Sequence, residues 1–252
     1  MAGHRHPWLP DAAPECIVRS MRQPDHSAPG AGAVRAVWVR RFDCWAADYD
    51  ASQLQSMLFG PAHEAVVRYA RLHVPRPGRI LDVGCGTGRL AARIAWSYRR
   101  AQVAGVDAST QMIKHAAPAP DVHYACAVAE HLPFADAVFG LVVITLSVSH
   151  WRSKAAGLAE ISRVMAPGAI LIAAEVLPVR PPRHLPVTVP RRRLDLTHGV
   201  PSLIATSGLR IHHVKPIRPI AVAVNTVLIA AEKPSDRAAT VHPCPATAPN
   251  SD

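Results

Sequence analysis

The chain has 252 residues, of which 49% are hydrophobic, and its 28 basic against 18 acidic side chains give a net charge of +10. No apolar run approaches the roughly 20 residues that span a bilayer, so we expect no transmembrane segment. The cysteines lack the close pairing of a disulfide framework and the spacing of a metal site, which predicts no metal and favours a reducing cytoplasm. They are Cys16, Cys44, Cys85, Cys126 and Cys244.

The two ends of the chain differ in composition from its middle. Residues 1–33 are rich in Pro, Ala, Gly and His without periodicity, and they lack the charged start and apolar core of a signal peptide. Residues 233–252 have the same character. We expect both ends to be disordered and residues 34–232 to form one domain, which is enough chain for a single hydrophobic core.

In chain order, the middle of the chain alternates between helical and strand periodicity, which predicts a doubly wound α/β fold. The predicted helices are Ala33–Val39, Gln53–His73, Arg89–Tyr98 with Leu90, Ile94 and Tyr98 inward, Ser109–Ala117, Lys154–Met165 and Pro201–Ser207. The predicted strands are Arg79–Val83, Gln102–Val106, Val122–Ala125, Val138–Leu146, Ala169–Glu175, Arg210–Lys215 and Ala221–Ala231.

A glycine-rich turn follows the first predicted strand. Gly84, Gly86 and Gly88 allow a sharp turn and a close approach to a ligand, which predicts a nucleotide-cofactor site, although a plain strand-to-helix turn is the alternative for the loop taken alone. The G-x-G-x-x-G spacing of dinucleotide sites is absent, because Arg89 holds the third position. Asp82 would repel a pyrophosphate but suits a cation, such as the sulfonium or amino group of S-adenosylmethionine.

A second acidic residue ends the next predicted strand. Asp107 follows Gln102–Val106, and a carboxylate at this strand tip can accept hydrogen bonds from both hydroxyls of a ribose. The alternative is that Asp107 only caps the following helix, although Ser109 can do this by itself. The order of strand, glycine turn, helix, strand and acid favours the ribose role.

From about Arg41 to Lys233, the chain resembles the class I S-adenosylmethionine-dependent methyltransferases, in particular the group that includes the ubiquinone and menaquinone C-methyltransferases. The resemblance implies a mostly parallel, seven-stranded Rossmann-like sheet with helices on both faces and the last two strands as a hairpin. The matching motifs are Phe42-Asp-Cys-Trp-Ala-Ala-Asp-Tyr-Asp50, Leu81-Asp-Val-Gly-Cys-Gly-Thr-Gly88, Gly105-Val-Asp-Ala-Ser-Thr-Gln-Met112, Ala129-Glu-His-Leu-Pro-Phe134, Ser149-His-Trp151 and Glu160-Ile-Ser-Arg-Val-Met-Ala-Pro-Gly168.

The resemblance implies S-adenosylmethionine as the cofactor, held mainly within residues 76–150. Tyr49 and Asp50 would lie in a segment that folds over the cofactor, although Tyr49 is equally well a packed aromatic. Met112 would lie against the adenine, although helical spacing alone makes it a core residue. The predicted cofactor-binding residues are Tyr49, Asp82, Gly84, Cys85, Gly86, Gly88, Asp107, Ala108, Met112, Val128, Ala129 and Thr145.

Two positions depart from the family pattern. Val128 stands where the family usually has an acid that binds the adenine amino group, and one lost hydrogen bond costs about 0.5–1.5 kcal/mol. Gly140 stands where the family usually has an acid at the start of the fourth strand. Both leave open a non-catalytic relative that serves as a cofactor-binding scaffold.

Acceptor-side residues are less defined by pattern. His150 is the candidate catalytic base, because its ordinary pKa lies near neutrality, and the alternative is that it caps the next helix. His131 and Glu175 are further candidates, with a solvated histidine and an inert strand-end carboxylate as alternatives. Arg183 belongs to an arginine-rich loop at about 178–198, which would attract an anionic substrate or simply be solvated.

These patterns together predict methyl transfer to a small, hydrophobic or aromatic metabolite. Nucleic acid or lipid guided by the arginine-rich loop is the alternative acceptor, but the loop lacks the interleaved aromatic residues of a single-strand platform. Folds of this kind host many chemistries, so the sequence leaves the acceptor, the methylated atom and the oligomeric state open.

Overall fold

The structure, a computed structural model, describes residues 39–116, 118–119, 121–176, 179–180, 193–194, 199–217 and 226–235. The predictions of disordered ends lie almost entirely outside these ranges, as do most of the predicted helix Ala33–Val39, Arg183 and most of the arginine-rich loop. Within the described ranges, no helix is long and apolar enough to cross a membrane.

Seven strands form one sheet in the order β3-β2-β1-β4-β5-β7-β6. The first five strands are mutually parallel, whereas β7 runs antiparallel to both β5 and β6. This arrangement confirms the doubly wound sheet and its closing hairpin. The strands are β1 (Arg79–Val83), β2 (Gln102–Asp107), β3 (Val122–Cys126), β4 (Phe139–Thr145), β5 (Met165–Val176), β6 (Arg210–Ile217) and β7 (Thr226–Glu232). Outside this sheet, Val179–Arg180 pairs antiparallel with Arg193–Leu194.

Helices cover both faces of the sheet. They are α1 (Gly60–His73), α2 (Arg89–Ser97), α3 (Thr110–Lys114), α4 (Lys154–Val164) and α5 (Val200–Thr206). Residues 39–45 are also helical, and a π-helical turn, Gln55–Phe59, leads into α1. Helix α2 buries Leu90, Ile94 and the following Tyr98 as predicted.

The two faces of the sheet bury separate apolar clusters because strand side chains alternate between faces. Ile80 of β1 packs in the cluster that contains Val66 of α1 and Ile94 of α2. Its neighbour Leu81 packs in the cluster that contains Leu158 of α4 and Ile204 of α5. The sheet is thus rigidly held from both sides, which positions the loops at the carboxyl ends of its strands.

The structure corrects the boundary between α4 and β5. The sequence places the helix end at Met165 and the strand start at Ala169, but Met165 already pairs with Phe139 of β4. The strand begins where it finds a pairing partner in β4, and local periodicity contains no information about that partner. Gly168, with φ of +77°, stands inside β5 rather than before it.

The presence of glycine at position 140, where the family usually has an acid, has a steric explanation in this chain. A β-carbon at Gly140 would lie 2.2 Å from the carbonyl oxygen of Pro77, which is closer than any carbon side chain can approach. The missing acid at this position therefore accompanies a close backbone packing of the 75–78 turn against β4. This packing is remote from the carboxyl ends of the strands and gives Gly140 a structural role.

Candidate active site

A cavity of about 460 Å³ lies at the carboxyl ends of β1, β2, β4 and β5, under residues of the segment 39–59. Its size falls in the range of small-molecule sites. The position agrees with the rule that open parallel sheets bind ligands beyond the carboxyl ends of their strands. The predicted residues that line it are Tyr49, Gly84, Gly86, Asp107, Ala108, Met112, Val128, Ala129, Thr145, His150 and Glu175.

The Asp107 carboxylate is held at the wall of this cavity by backbone amides. The amide of Gly86 donates to Oδ2 at 2.9 Å and the amide of Ser109 donates to Oδ1 at 2.8 Å. Burial raises the pKa of Asp107, and these amides oppose the increase. Each oxygen still has acceptor capacity beyond one amide, so the carboxylate can take two hydroxyl donors from a ligand in the cavity.

The three glycines of the turn have different roles. A β-carbon on Gly84 would lie 2.4 Å from Ser147 Oγ, and one on Gly88 would lie 2.3 Å from the Tyr124 hydroxyl, so both positions are needed for packing. At Gly86, with φ of +56°, a β-carbon would instead meet the ring of Tyr49 at 3.5 Å. Gly86 therefore leaves space at the cavity wall where a ligand can approach the backbone closely.

One wall of the cavity is suited to a flat apolar ring. Ala108, Met112, Val128 and Ala129 all line it. Met112 is also only 1% exposed, so it combines the core role and the cavity role that the sequence left as alternatives. Val128 adds an apolar side chain where the family pattern has an acid. Backbone groups can still bind a ring edge there, while van der Waals contact with the ring face replaces the missing hydrogen bond.

Aromatic side chains form the cover of the cavity. The ring of Tyr49 lies edge-on to Trp45 at 4.7 Å and to Phe59 at 5.6 Å between ring centroids. Burial raises the pKa of the Tyr49 hydroxyl well above its ordinary value. Tyr49 is thus a packed aromatic that also lines the cavity, and the cluster covers the space below it.

Two carboxylates, Asp43 and Asp50, tie this cover to the cavity floor. The sequence analysis placed Asp50 in the covering segment but predicted neither as a cofactor-binding residue. Asp43 Oδ1 accepts from the Ser109 hydroxyl at 2.5 Å and from the Gln111 amide at 3.3 Å. Asp50 Oδ1 accepts from the Thr87 hydroxyl at 2.7 Å and lies 3.7 Å from Arg89. The only local signal was the position of both acids in the Phe42–Asp50 motif.

We expect Asp43→Asn combined with Asp50→Asn to weaken S-adenosylhomocysteine binding about tenfold, because each hydrogen bond to a carboxylate contributes roughly 1.5–3 kcal/mol and part of this holds the cover closed. Calorimetry measures the affinity, and amide hydrogen exchange of residues 39–52 measures opening of the cover. Asp48→Asn is the matched control, since Asp48 is an exposed acid of the same segment that does not line the cavity. Unchanged affinity and exchange would contradict the prediction.

The acceptor side of the cavity centres on His150 and Glu175. His150 lies edge-on to Phe42 at 5.0 Å, and burial, with Arg41 and Lys154 nearby, lowers its pKa. Glu175 is 3% exposed, and its Oε1 accepts from the amides of Ser147 at 2.9 Å and Val148 at 3.1 Å. Burial raises the pKa of Glu175 to about 7, so it is partly protonated near neutrality.

Of the predicted site residues that the structure describes, four do not line the cavity. Asp82 is fully buried beneath the glycine turn, and the Cys85 side chain is buried beside it, where Sγ lies 3.7 Å from the Gly86 carbonyl oxygen. Gly88 packs against Tyr124, and His131 is exposed beyond the cavity rim. Asp82 and Cys85 point inward because strand alternation and the turn carry them below the ligand-facing backbone.

The residues that line the cavity fit S-adenosylmethionine. Asp107 would supply acceptors for ribose hydroxyls, Gly86 would leave the space at the backbone, and Ala108 with Met112 would form an apolar wall for adenine. Within the described ranges, no group of three His, Cys, Asp or Glu side chains could hold a metal ion. Fold and site together define a Rossmann-like α/β domain with a nucleoside-cofactor cavity.

Comparisons with known proteins agree with this description of the fold and the cavity. Residues 81–173 match the family model described as "Methyltransferase domain". The chain is 38% identical over 124 residues to O-methyltransferase cnsE of Penicillium expansum, covering 46% of this chain and 45% of the relative. It is 33% identical over 142 residues to demethylmenaquinone methyltransferase of Lactiplantibacillus plantarum, covering 53% and 60%. The chain spans about half the length of these curated relatives.

A solved structure shares the fold. The 1,6-didemethyltoxoflavin-N1-methyltransferase of Burkholderia thailandensis, with bound 1,6-didemethyltoxoflavin and S-adenosylhomocysteine, has a TM-score of 0.63 and 17% identity, and the match covers 84% of this chain and 93% of that one. The match at residues 81–173 and the shared fold support the resemblance to class I S-adenosylmethionine-dependent methyltransferases that the sequence motifs predicted.

Proposed function

We propose that the protein transfers the methyl group of S-adenosylmethionine to a small, hydrophobic or aromatic acceptor, with S-adenosylhomocysteine as the second product. The observation that carries the proposal is one cavity with the Asp107 carboxylate and glycine turn at one side and His150 with an aromatic cover at the other. A nucleoside cofactor and a small acceptor can therefore lie next to each other beneath the aromatic cover.

The cofactor supplies an activated methyl group on a sulfonium, which is a good leaving group. The protein needs mainly to hold the two reactants in line and to exclude water, and such placement can remove several kcal/mol of the barrier. Asp107 and Gly86 would orient the cofactor, while Phe42, Trp45 and Trp151 would hold the apolar body of the acceptor. Their large flat surfaces favour an aromatic acceptor.

Positive charge at the cavity favours an acceptor oxygen that is acidic. Arg41 and Arg152 line the cavity, and Arg41 and Lys154 act electrostatically on His150. Cations at this position would stabilise a phenolate, an enolate or a carboxylate over its neutral form. This supports O-methylation of an acidic hydroxyl. The same cations would also stabilise the conjugate anion of an acidic carbon.

The experiment that tests the proposal is a turnover assay with purified protein, S-adenosylmethionine and an acceptor panel. The panel contains a phenol, a hydroxynaphthoquinone, a carboxylic acid and an amine, and mass spectrometry reads both S-adenosylhomocysteine and the methylated acceptor. We expect turnover with one of the acidic aromatic compounds. Tight cofactor binding without turnover on any acceptor class, including cellular metabolite extracts, would support the scaffold alternative.

Replacing His150 with glutamine should lower kcat about a hundredfold, at the low end of general-base effects, because the nearby cations already assist ionisation of the acceptor. The lowered pKa keeps the imidazole neutral at pH 7 and able to take a proton, so the wild-type rate should fall only below neutral pH. Turnover measured against pH checks both points. His131→Gln, which removes an exposed histidine outside the cavity, is the matched control, and an equal fall in both variants would contradict the role.

A further inference from the structure

The end of the sheet opposite the cavity brings together the last turns of α1 and α2. Arg79 at the start of β1 pairs with Gln102 at the start of β2, so the segments that precede the two strands are neighbours. The Tyr98 hydroxyl donates to the carbonyl oxygen of Val74 at 3.0 Å and joins these segments directly. The ends of α1 and α2 therefore lie side by side at this end of the protein.

Two large apolar side chains stand out from this surface. Leu72 is 72% exposed and Trp96 is 66% exposed, the highest values among the large hydrophobic residues that the structure describes. Each lies two residues before a partner in the Val74–Tyr98 hydrogen bond, and both of those partners are buried. The packed core thus ends at Val74 and Tyr98, and Leu72 and Trp96 project beyond it.

The same surface carries dense positive charge. Residues 65–106 contain eight arginines and a single acidic residue, Asp82, which is fully buried. Arg99 lies over the Trp96 ring, with its guanidinium carbon 4.5 Å from the ring centroid. Together with Leu72 and Trp96, four exposed arginines form what we term the basic pole. These arginines are Arg71, Arg76, Arg99 and Arg100, and none has a carboxylate within ion-pair distance among the described residues.

We propose that the basic pole is a docking surface for an anionic phospholipid bilayer. Exposed leucine and tryptophan side chains insert at the level of the headgroups, and arginine guanidinium groups bind lipid phosphates around them. Both features are needed, because a single apolar side chain or a few charges give only weak binding. A nucleic acid would use the arginines but would leave Leu72 exposed.

The position of the basic pole assigns it a role separate from methyl transfer. The cavity opens at the carboxyl ends of the strands, whereas the basic pole lies at the amino ends of β1 and β2. A bilayer bound there contacts none of the residues that line the cavity. Docking would concentrate the protein at a membrane while the cavity stays accessible from the aqueous side, so this inference extends beyond the proposed function.

The test is co-sedimentation of the full chain with vesicles of phosphatidylcholine alone or of equal parts phosphatidylcholine and phosphatidylglycerol. We expect binding only to the anionic vesicles, and weaker binding at higher salt because of charge screening. Arg99→Gln with Arg100→Gln should reduce the partition coefficient about tenfold or more, and Leu72→Ala with Trp96→Ala should do likewise. The charge-matched control is Arg40→Gln with Lys114→Gln, two exposed cations outside the basic pole, which should retain most of the binding.

Three outcomes would overturn the proposal. They are no preference for anionic vesicles, equal loss in the control and pole variants, and a loss in the arginine pair without one in the Leu72 and Trp96 pair. In the last case, competition by RNA or by an acidic protein would reassign the surface to an anionic polymer. Circular dichroism and S-adenosylhomocysteine affinity should match the wild type in every pole variant, which separates failed docking from failed folding and from failure of the methyltransferase proposal.

Discussion

Replacing Asp107 with alanine is expected to reduce the affinity for S-adenosylmethionine and S-adenosylhomocysteine about a thousandfold. Two ribose hydroxyls that donate to a carboxylate contribute roughly 1.5–3 kcal/mol each, which corresponds to a loss between about a hundredfold and ten-thousandfold. The substitution also frees the amides of Gly86 and Ser109, which now donate to Asp107, so the glycine turn loses its anchor. Isothermal titration calorimetry with both ligands measures the loss.

Two variants make the result specific to the carboxylate. Asp107→Asn keeps one amide-accepting oxygen but removes the charge, and we expect an intermediate loss of about tenfold to a hundredfold. Asp48→Asn removes an exposed charge near the cavity without touching its wall, and it should bind like the wild type. If Asp107→Ala remained folded by circular dichroism and bound either ligand with wild-type affinity, the ribose role would be wrong.

Asp82 predicts an unusual dependence of stability on pH. Its side chain is fully buried, and no donor among the described residues meets ordinary hydrogen-bond geometry with either oxygen. Burial and the nearby Asp107 raise its pKa from 3.8 to about 8, although the backbone amide of Ala91 lies close enough to oppose the increase. The folded protein keeps this proton at pH values where the unfolded chain has lost it. Stability from this group is therefore complete below about pH 4 and is lost as the pH rises to about 8.

Asp82→Asn should remove this dependence. Keeping the wild-type carboxylate ionised at pH 9 costs on the order of 5 kcal/mol, whereas a buried amide with unmet hydrogen bonds costs about 1–3 kcal/mol at every pH. We expect the variant to be less stable than the wild type at pH 4 and more stable by about 2–4 kcal/mol at pH 9. Urea unfolding at the two pH values measures the crossover.

The exposed Asp121 provides the control for that experiment. Its φ of +69° is a conformation that asparagine tolerates, so Asp121→Asn should leave the difference between the two pH values as in the wild type. Parallel free-energy changes in Asp82→Asn and the wild type across the pH range would show that Asp82 does not titrate as a buried acid. Glu175, also buried with a raised pKa, adds to the wild-type slope in both backgrounds.

Much of the fold was predictable because its signals are local. The strand Arg79–Val83 begins and ends where the sequence predicted. Its short, mostly apolar run is bounded by Gly78 and Gly84, and glycines favour turns over continued strand. Ser109 caps α3 by accepting from the Met112 amide at 3.1 Å, which frees Asp107 for the cavity. The glycine turn after β1 and the acid at the end of β2 were predictable for the same reason, because each depends on backbone conformation within a few residues.

The acceptor side resisted prediction because its contacts join distant segments. The sequence identified Glu175 as a strand-end acid. The hydrogen bonds that it accepts from the amides of Ser147 and Val148 form only after β4 and β5 pair. Asp43 reaches Ser109 across 66 positions of sequence. No periodicity or motif spacing specifies such pairs, since their geometry is set by the packing of whole elements.

The sequence by itself determined the fold class and the cofactor class and predicted a ligand-facing role for Asp107, because these follow from short-range backbone preferences and from ordered motifs. Only the tertiary structure decided that Gly84 and Gly88 pack against Ser147 and Tyr124 while Gly86 leaves space at the cavity wall, since that depends on atoms from other segments. It also buried Asp82 and gathered the basic pole from the ends of α1 and α2. Which side chains are buried, and which charges share one surface, depends on how distant segments pack together.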